Sequence, residues 1–169
     1  MNSKVESLCN ASARGDMESC LHLLHEGAAI NGQNQYRRTP LQVVKLGHTR
    51  LVRTLLAAGA NPNERDPLLR LTVTHDAARE GFVETVRALI EYGADVNLAD
   101  DNGNLPLHLA EKEGHVEVVQ LLERAARARE ALTEPGSEVG HEAAEWPASK
   151  NTGTLDLCKA LNKHPKMVL

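Results

Sequence analysis

The chain has 169 residues, with 19 Lys and Arg against 23 Asp and Glu, 41% apolar and 25% charged, the balance of one soluble globular domain. Aromatic residues are 2%, so a core must be built from Leu, Val and Ala side chains, which suits packed short helices and argues against a sandwich or barrel. A net charge of −4 leaves no basic footprint for a nucleic-acid backbone, and no apolar run reaches membrane-spanning length, so neither partner is expected.

Met1 to Asp16 has no apolar stretch of the kind that follows the first charges of a secretory signal. Cys9, Cys20 and Cys158 are odd in number and form no C-x-x-C pair, so a disulfide framework and a zinc site are both unsupported and a reducing compartment is the default. A monomer in cytoplasm and nucleus is expected, and the sequon at Asn10 reads as ordinary helix.

The elements repeat along the chain. Gly15, Gly47, Gly81 and Gly114 are separated by 32, 34 and 33 residues. A second glycine follows the first three by 12 positions, at Gly27, Gly59 and Gly93, and an asparagine by 16, at Asn31, Asn63 and Asn97. Between the two glycines, apolar residues keep helical spacing: Cys20, Val52, Val86 and Val119 in one column, Leu23, Leu55, Leu89 and Leu122 in the next. Each unit therefore carries a helix with one buried stripe, and its second glycine closes that helix in the left-handed conformation. Upstream of each first glycine lies a second, shorter helix, from Leu8-Cys9-Asn10-Ala11 in the first unit to Leu107-His108-Leu109-Ala110 in the fourth.

A 33-residue unit of two antiparallel helices, a turn and a polar linker has the ankyrin period. Thr39-Pro40-Leu41-Gln42, Leu105-Pro106-Leu107-His108-Leu109-Ala110 and Gly59-Ala60-Asn61-Pro62-Asn63 are similar to the ankyrin consensus. The expected fold is an all-α ankyrin solenoid, because one unit cannot bury its apolar face alone. Four repeats span residues 5–126. Ala126 replaces the last glycine, so the final helix runs on through Ala131. Residues 127–153 read as that extension and a flexible linker, and 154–169 as a degenerate fifth repeat or cap.

Motifs for phosphate cradling, dinucleotide binding, serine hydrolysis and zincin chemistry are absent, which argues against an enzyme and implies no cofactor. His22 and His25 read as solvent-facing rather than metal-binding. His75 and His108 fall on the consensus histidine column, where the imidazole bonds backbone in the adjoining turn.

In a repeat protein, specificity must come from positions that break the pattern. Three do. Thr39 to Gly47 is one residue short, with the loss in the inner helix of repeat two, leaving Gln42 to Leu46 as one irregular turn. Asp66 to His75 is one residue long, with Pro67 opening an apolar, glycine-free loop through Leu68, Leu69 and Leu71. His75 to Thr85 is dense in charge on an inner helix facing the concave side. Residues 37–70 hold seven Lys and Arg against two Asp and Glu, whereas residues 76–117 hold three against ten, so the third and fourth repeats are suited to a basic protein surface.

At these deviations the sequence resembles the ankyrin-repeat inhibitors of the cyclin-dependent kinases that work with D-type cyclins. The segment from His75 to Phe82 is similar to their third-repeat signature, Thr39 to Gly47 to their shortened second inner helix, and Asn102 to Ala110 to their fourth repeat. The resemblance implies a concave face that grips the kinase beside its ATP cleft, misaligns the lobes and weakens cyclin binding. It assigns Asp76 as acceptor for a kinase arginine, with Arg79 supporting it and Asp66 adding a second carboxylate. Glu18, Val44 and Lys45 extend contact to the other lobe, and Phe82 is equally core or contact. Within this chain, Asp76 also has Arg79 at helical spacing as an internal partner. Arg37 and Arg38 stand where the family keeps a glycine. The competing reading is a generic ankyrin adaptor for a transcription factor or ubiquitin-ligase subunit, with no special use of the turn at Val44.

Overall fold

The computed structural model describes residues 3–133, which form helices in four pairs. These are α1 (Ser3–Arg14) with α2 (Met17–His25), α3 (Pro40–Val43) with α4 (Thr49–Ala57), α5 (Val73–Glu80) with α6 (Val83–Glu91), and α7 (Pro106–Glu113) with α8 (Val116–Thr133). Inner helices stack on inner helices, α1 on α3 and α5 on α7, and outer on outer, α4 on α6 on α8. No strand occurs among the described residues. The array is an all-α ankyrin solenoid. The expected fifth repeat and most of the expected linker lie outside the described residues.

The glycine columns do what their spacing predicts. Gly81 and Gly114 cap α5 and α7 in the left-handed region, each donating its N–H into the last turn. Gly59 closes α4 at φ +99, with nothing within 4 Å of where a Cβ would sit. Gly59→Ala is therefore expected to cost only the backbone strain, about 1 to 2 kcal/mol. An unchanged urea midpoint would mean that this helix end relaxes freely.

Repeat two is the exception in its column. α3 is a single turn of four residues, and Gly47 lacks the positive φ of Gly15, Gly81 and Gly114. The turn is held by a reciprocal cap: Thr39 N–H donates to Gln42 Oε1 at 2.8 Å and Gln42 N–H to Thr39 Oγ1 at 3.3 Å. The chain then leaves the helix at Val44, and Lys45 N–H bonds Ser12 O at 3.0 Å, tying the irregular turn to the end of α1. The expectation of a uniformly shorter inner helix fails at the N-terminus, where α1 has 12 residues against 9 in α2.

Burial of the outer stripe depends on which neighbour each column faces. Cys20, Val52 and Val86 are fully buried, but Val119 is only partly so, and Val118 is buried beside it. The column one residue earlier holds Ser19, Leu51, Thr85 and Val118, and there the half-exposed member is Ser19, in the first repeat. Thr85 shows its direction: its hydroxyl donates back to Leu46 O at 2.6 Å and lies 3.1 Å from Thr49 Oγ1. This column faces the preceding repeat, and the Val119 column faces the following one. Repeat four has no follower among the described residues, so Val119 loses its cover.

α8 continues past Ala126 to Thr133, and Arg129 on this extension reaches back to Asp95, with Nη1 at 3.4 Å from Oδ1. Earlier junctions are clamped differently. Asn31 Nδ2 donates to Gly59 O and its Oδ1 accepts Asn61 N–H, and Asn63 repeats this with Gly93 O and Asp95 N–H. Asn97, third in the series, bonds only within its own turn among the described residues, through its N–H to Asp95 Oδ1.

Candidate functional site on the inner face and its finger loops

Between consecutive repeats the chain forms fingers, each closed by a backbone bond across its base: Asn34 N–H to Arg38 O, Asp66 N–H to Leu71 O, and Asp100 N–H to Asn104 O, all at 2.9 Å. The first residue of each finger spends its side-chain oxygen on the tip. Asn34 Oδ1 accepts from Tyr36 and Arg38, Asp100 Oδ1 from Asn102 and Asn104, and Asp66 Oδ1 from three successive amides, Leu68, Leu69 and Arg70, at 2.9, 2.7 and 3.1 Å. Gly103 supplies the left-handed residue of the last finger; Arg37 and Arg70 take that conformation in the other two, at φ +61 and +57. Arg37 thus fills the glycine place noted in the sequence.

The histidine column locks fingers to helices. His75 is fully buried in α5; its Nδ1 accepts Thr72 N–H at 3.1 Å and lies 2.9 Å from Thr72 Oγ1, and its Nε2 reaches Asn104 O in the next finger at 2.9 Å. The neutral tautomer with the proton on Nε2 satisfies both ends. His108 makes the first of these bonds, to Leu105 N–H at 3.0 Å, but lies exposed in the last repeat. Gln42 stands in this column in repeat two, and its Nε2 is buried without a partner among the described residues.

Burial holds the His75 pKa below the ordinary histidine value, with the Asn104 carbonyl opposing the shift. A His that binds protons more weakly when folded loses stability as pH falls below its unfolded value of about 6.5, by about 1.4 kcal/mol per pH unit until the native group itself titrates. His75→Gln is expected to flatten urea stability between pH 6.5 and 5. An unchanged slope would assign the acid sensitivity elsewhere.

Asp76 lies in the first turn of α5, its side chain 32% exposed, with Oδ1 accepting Arg79 Nη2 at 2.7 Å and no donor to Oδ2 among the described residues. Burial raises its pKa above the usual carboxylate value; Arg79 pulls it part of the way back, and the nearby Asp66 adds to the rise. Arg38, Gln42, Asp66, Leu71, Thr72, Val73 and Asp76 line a small crevice between repeats two and three. Asp66, Asp76 and Arg79 are thus brought into one neighbourhood. Arg38 and Gln42 join it; Gln42 was legible as the non-histidine of its column, and Arg38 as one of the two arginines standing where the family keeps a glycine.

The remaining candidates scatter. Phe82 is 37% exposed, and its ring edge lies about 3.4 Å from the Cβ position of Gly47, so it bridges repeats two and three. Lys45 is exposed, with its aliphatic stem over Gly15. Glu18 is exposed in the first turn of α2, in no ion pair among the described residues. Val44 is the correction: at 5% exposure its side chain belongs to the core, because the chain turns inward where α3 stops. His22 and His25 are exposed, and His22 pairs with Glu26 at 3.6 Å.

The stacked helix pairs, capped fingers and histidine locks define an ankyrin-repeat protein, and the family described as ankyrin repeats in three copies matches residues 42–130. Human "Cyclin-dependent kinase inhibitor 2A" is 42% identical over 126 residues, which is 75% of this chain and 81% of that protein. "Cyclin-dependent kinase 4 inhibitor B" is 41% identical in Rattus norvegicus over 118 residues and 42% in Homo sapiens over 120, covering 91% and 87% of those proteins and 70% and 71% of this chain. The chain belongs to the ankyrin-repeat cyclin-dependent kinase inhibitor family.

Proposed function

We propose that the inner face of this array binds and inhibits the kinases that work with D-type cyclins, as a negative regulator of the G1 cell cycle in cytoplasm and nucleus. The observation that carries the reading is a half-buried carboxylate, Asp76, held by Arg79 at the centre of an array similar along its length to named cyclin-dependent kinase inhibitors. In this reading a kinase arginine takes the open oxygen of Asp76 and displaces or shares the Arg79 contact, forming a charge-assisted bond across a desolvated surface. Lys45 and Glu18 extend the contact to the other lobe, Val44 contributes by shaping the turn under Lys45, and the half-exposed Phe82 edge adds apolar contact between repeats two and three.

The protein acts by binding, with no catalytic step of its own. Seated beside the ATP cleft, it holds the lobes misaligned and weakens cyclin binding without filling the nucleotide site. Such inhibition requires tighter binding to the distorted kinase than to the active one, because equal affinity shifts nothing.

The test is titration of the protein against purified D-cyclin kinases and an unrelated control kinase, with activity read at low and saturating ATP. Expected are selective binding, inhibition that persists at high ATP, and loss of cyclin from the complex. Absence of binding would leave the adaptor reading; inhibition relieved by ATP would overturn the mechanism.

A further inference from the structure

Few large apolar side chains stand exposed among the described residues, and three of them crown two adjacent fingers: Tyr36 at 68%, Leu68 at 73% and Leu69 at 50%. The finger after repeat three offers Asp101, Asn102 and Gly103 at the corresponding place. The apolar fingers are also the two in which arginine holds the left-handed position, where glycine relieves the strain in the other. Exposed apolar surface and backbone strain therefore coincide at the tips of two fingers whose bases, through Arg38 and Asp66, line the crevice of Asp76.

The second tip is a preformed shape. Asp66 Oδ1 holds the amides of Leu68, Leu69 and Arg70, and Asp66 N–H closes the loop on Leu71 O. From the other side, Asp101 N–H bonds Leu69 O at 3.0 Å, and Arg70 Nε lies 3.9 Å from Asp101 Oδ1. With its amides spent internally, the tip can neither add a strand nor fold its leucines inward. It presents them.

We propose that the tips of the first two fingers form an apolar contact edge for the kinase, with Tyr36, Leu68 and Leu69 as contact side chains and Asp66 as the positioning residue that holds the second tip in shape. The proposal rests on the function proposed above and commits to the same partner, because Asp66 joins the tip directly to the crevice containing Asp76. It changes the role of Asp66: an oxygen already bonded to three amides is better placed to hold the tip than to meet a kinase arginine. Arg37, Arg38 and Arg65 flank the tips and form no ion pair among the described residues, so the surface that fits is an apolar depression rimmed by carboxylates.

The experiment measures affinity for a D-cyclin kinase and thermal unfolding for six proteins: wild type, Leu68→Ser with Leu69→Ser, Asp66→Ala, Asp66→Asn, Asp76→Asn, and Val116→Ser as an exposed apolar change at the far end of the array. The leucine double variant is expected to lose at least tenfold in affinity with its unfolding midpoint unchanged, and Val116→Ser to bind as wild type. Asp66→Ala should fall with the double variant, whereas Asp66→Asn, which keeps the acceptor oxygen, should stay within about threefold of wild type. A double variant that binds within twofold of wild type while Asp76→Asn does not would overturn the apolar edge and leave the functional reading standing. Equal losses for Asp66→Asn and Asp66→Ala would overturn the positioning role and make the charge itself the contact. A wild type that fails to bind the kinase would overturn both.

Discussion

Asp76→Asn is expected to weaken the kinase complex by about 2 to 5 kcal/mol, the range for truncating one partner of a desolvated charge pair. The fold should be unchanged or slightly more stable. Burial raises the Asp76 pKa, so the ionised carboxyl is held less favourably in the folded chain than in water, and a neutral amide removes that cost along with the Arg79 contact. A stability gain paired with an affinity loss is the signature of a residue kept for its partner. The control is Val86→Ala, which removes volume from a fully buried site and is expected to cost about 1 to 3 kcal/mol of stability with little effect on the bound surface. Val119 cannot serve, being only partly buried. If Asp76→Asn destabilises as much as Val86→Ala while its folded fraction binds normally, Asp76 is an internal structural acid.

The largest effect on the fold is expected at Gly81. At φ +78 a Cβ there carries the same backbone strain as at Gly59, but it also lies 2.6 Å from His115 Nδ1 and 2.7 Å from Cε1. The ring has to swing away, and with it goes the 2.9 Å bond from His115 Nε2 to Arg79 O that joins repeats three and four. Gly81→Ala is therefore expected to cost about 2 to 4 kcal/mol, roughly twice Gly59→Ala, in urea unfolding. The clash is separable from the strain: in a His115→Ala background the same substitution should fall to the Gly59→Ala cost. A cost independent of the background would place the whole penalty in the backbone.

The periodicity of the chain was enough to locate the four helix pairs of the described residues, because glycine at a helix end and apolar residues at helical spacing are local requirements that each repeat must meet by itself. What periodicity cannot carry is position in the series. Val119 fits its column as well as Val86 does, and it is half-exposed only because nothing described follows it. Val44 reads as part of an irregular surface turn, yet the early stop of α3 points it into the core. At the candidate site, Asp76 and Arg79 were legible because the helix sets their spacing. The engagement of Asp66 with its own loop was not, since it depends on how a glycine-free finger closes, with Arg70 in a conformation its side chain disfavours.

The unpartnered Nε2 of Gln42 bears on how the molecule opens. At the junction of repeats three and four, His75 bonds the next finger with Nε2; at the junction of two and three, the corresponding nitrogen is buried and bonds nothing among the described residues. In a chain of nearest-neighbour interfaces, the seam lacking such a bond is where partial separation costs least. Deuterium should therefore enter the amides of α1 to α4 through excursions in which α5 to α8 stay closed, and the amides of α5 and α7 should be the last to exchange. The protection gap between the two halves measures how far this single missing bond divides the array into an early-opening half and a late-opening one.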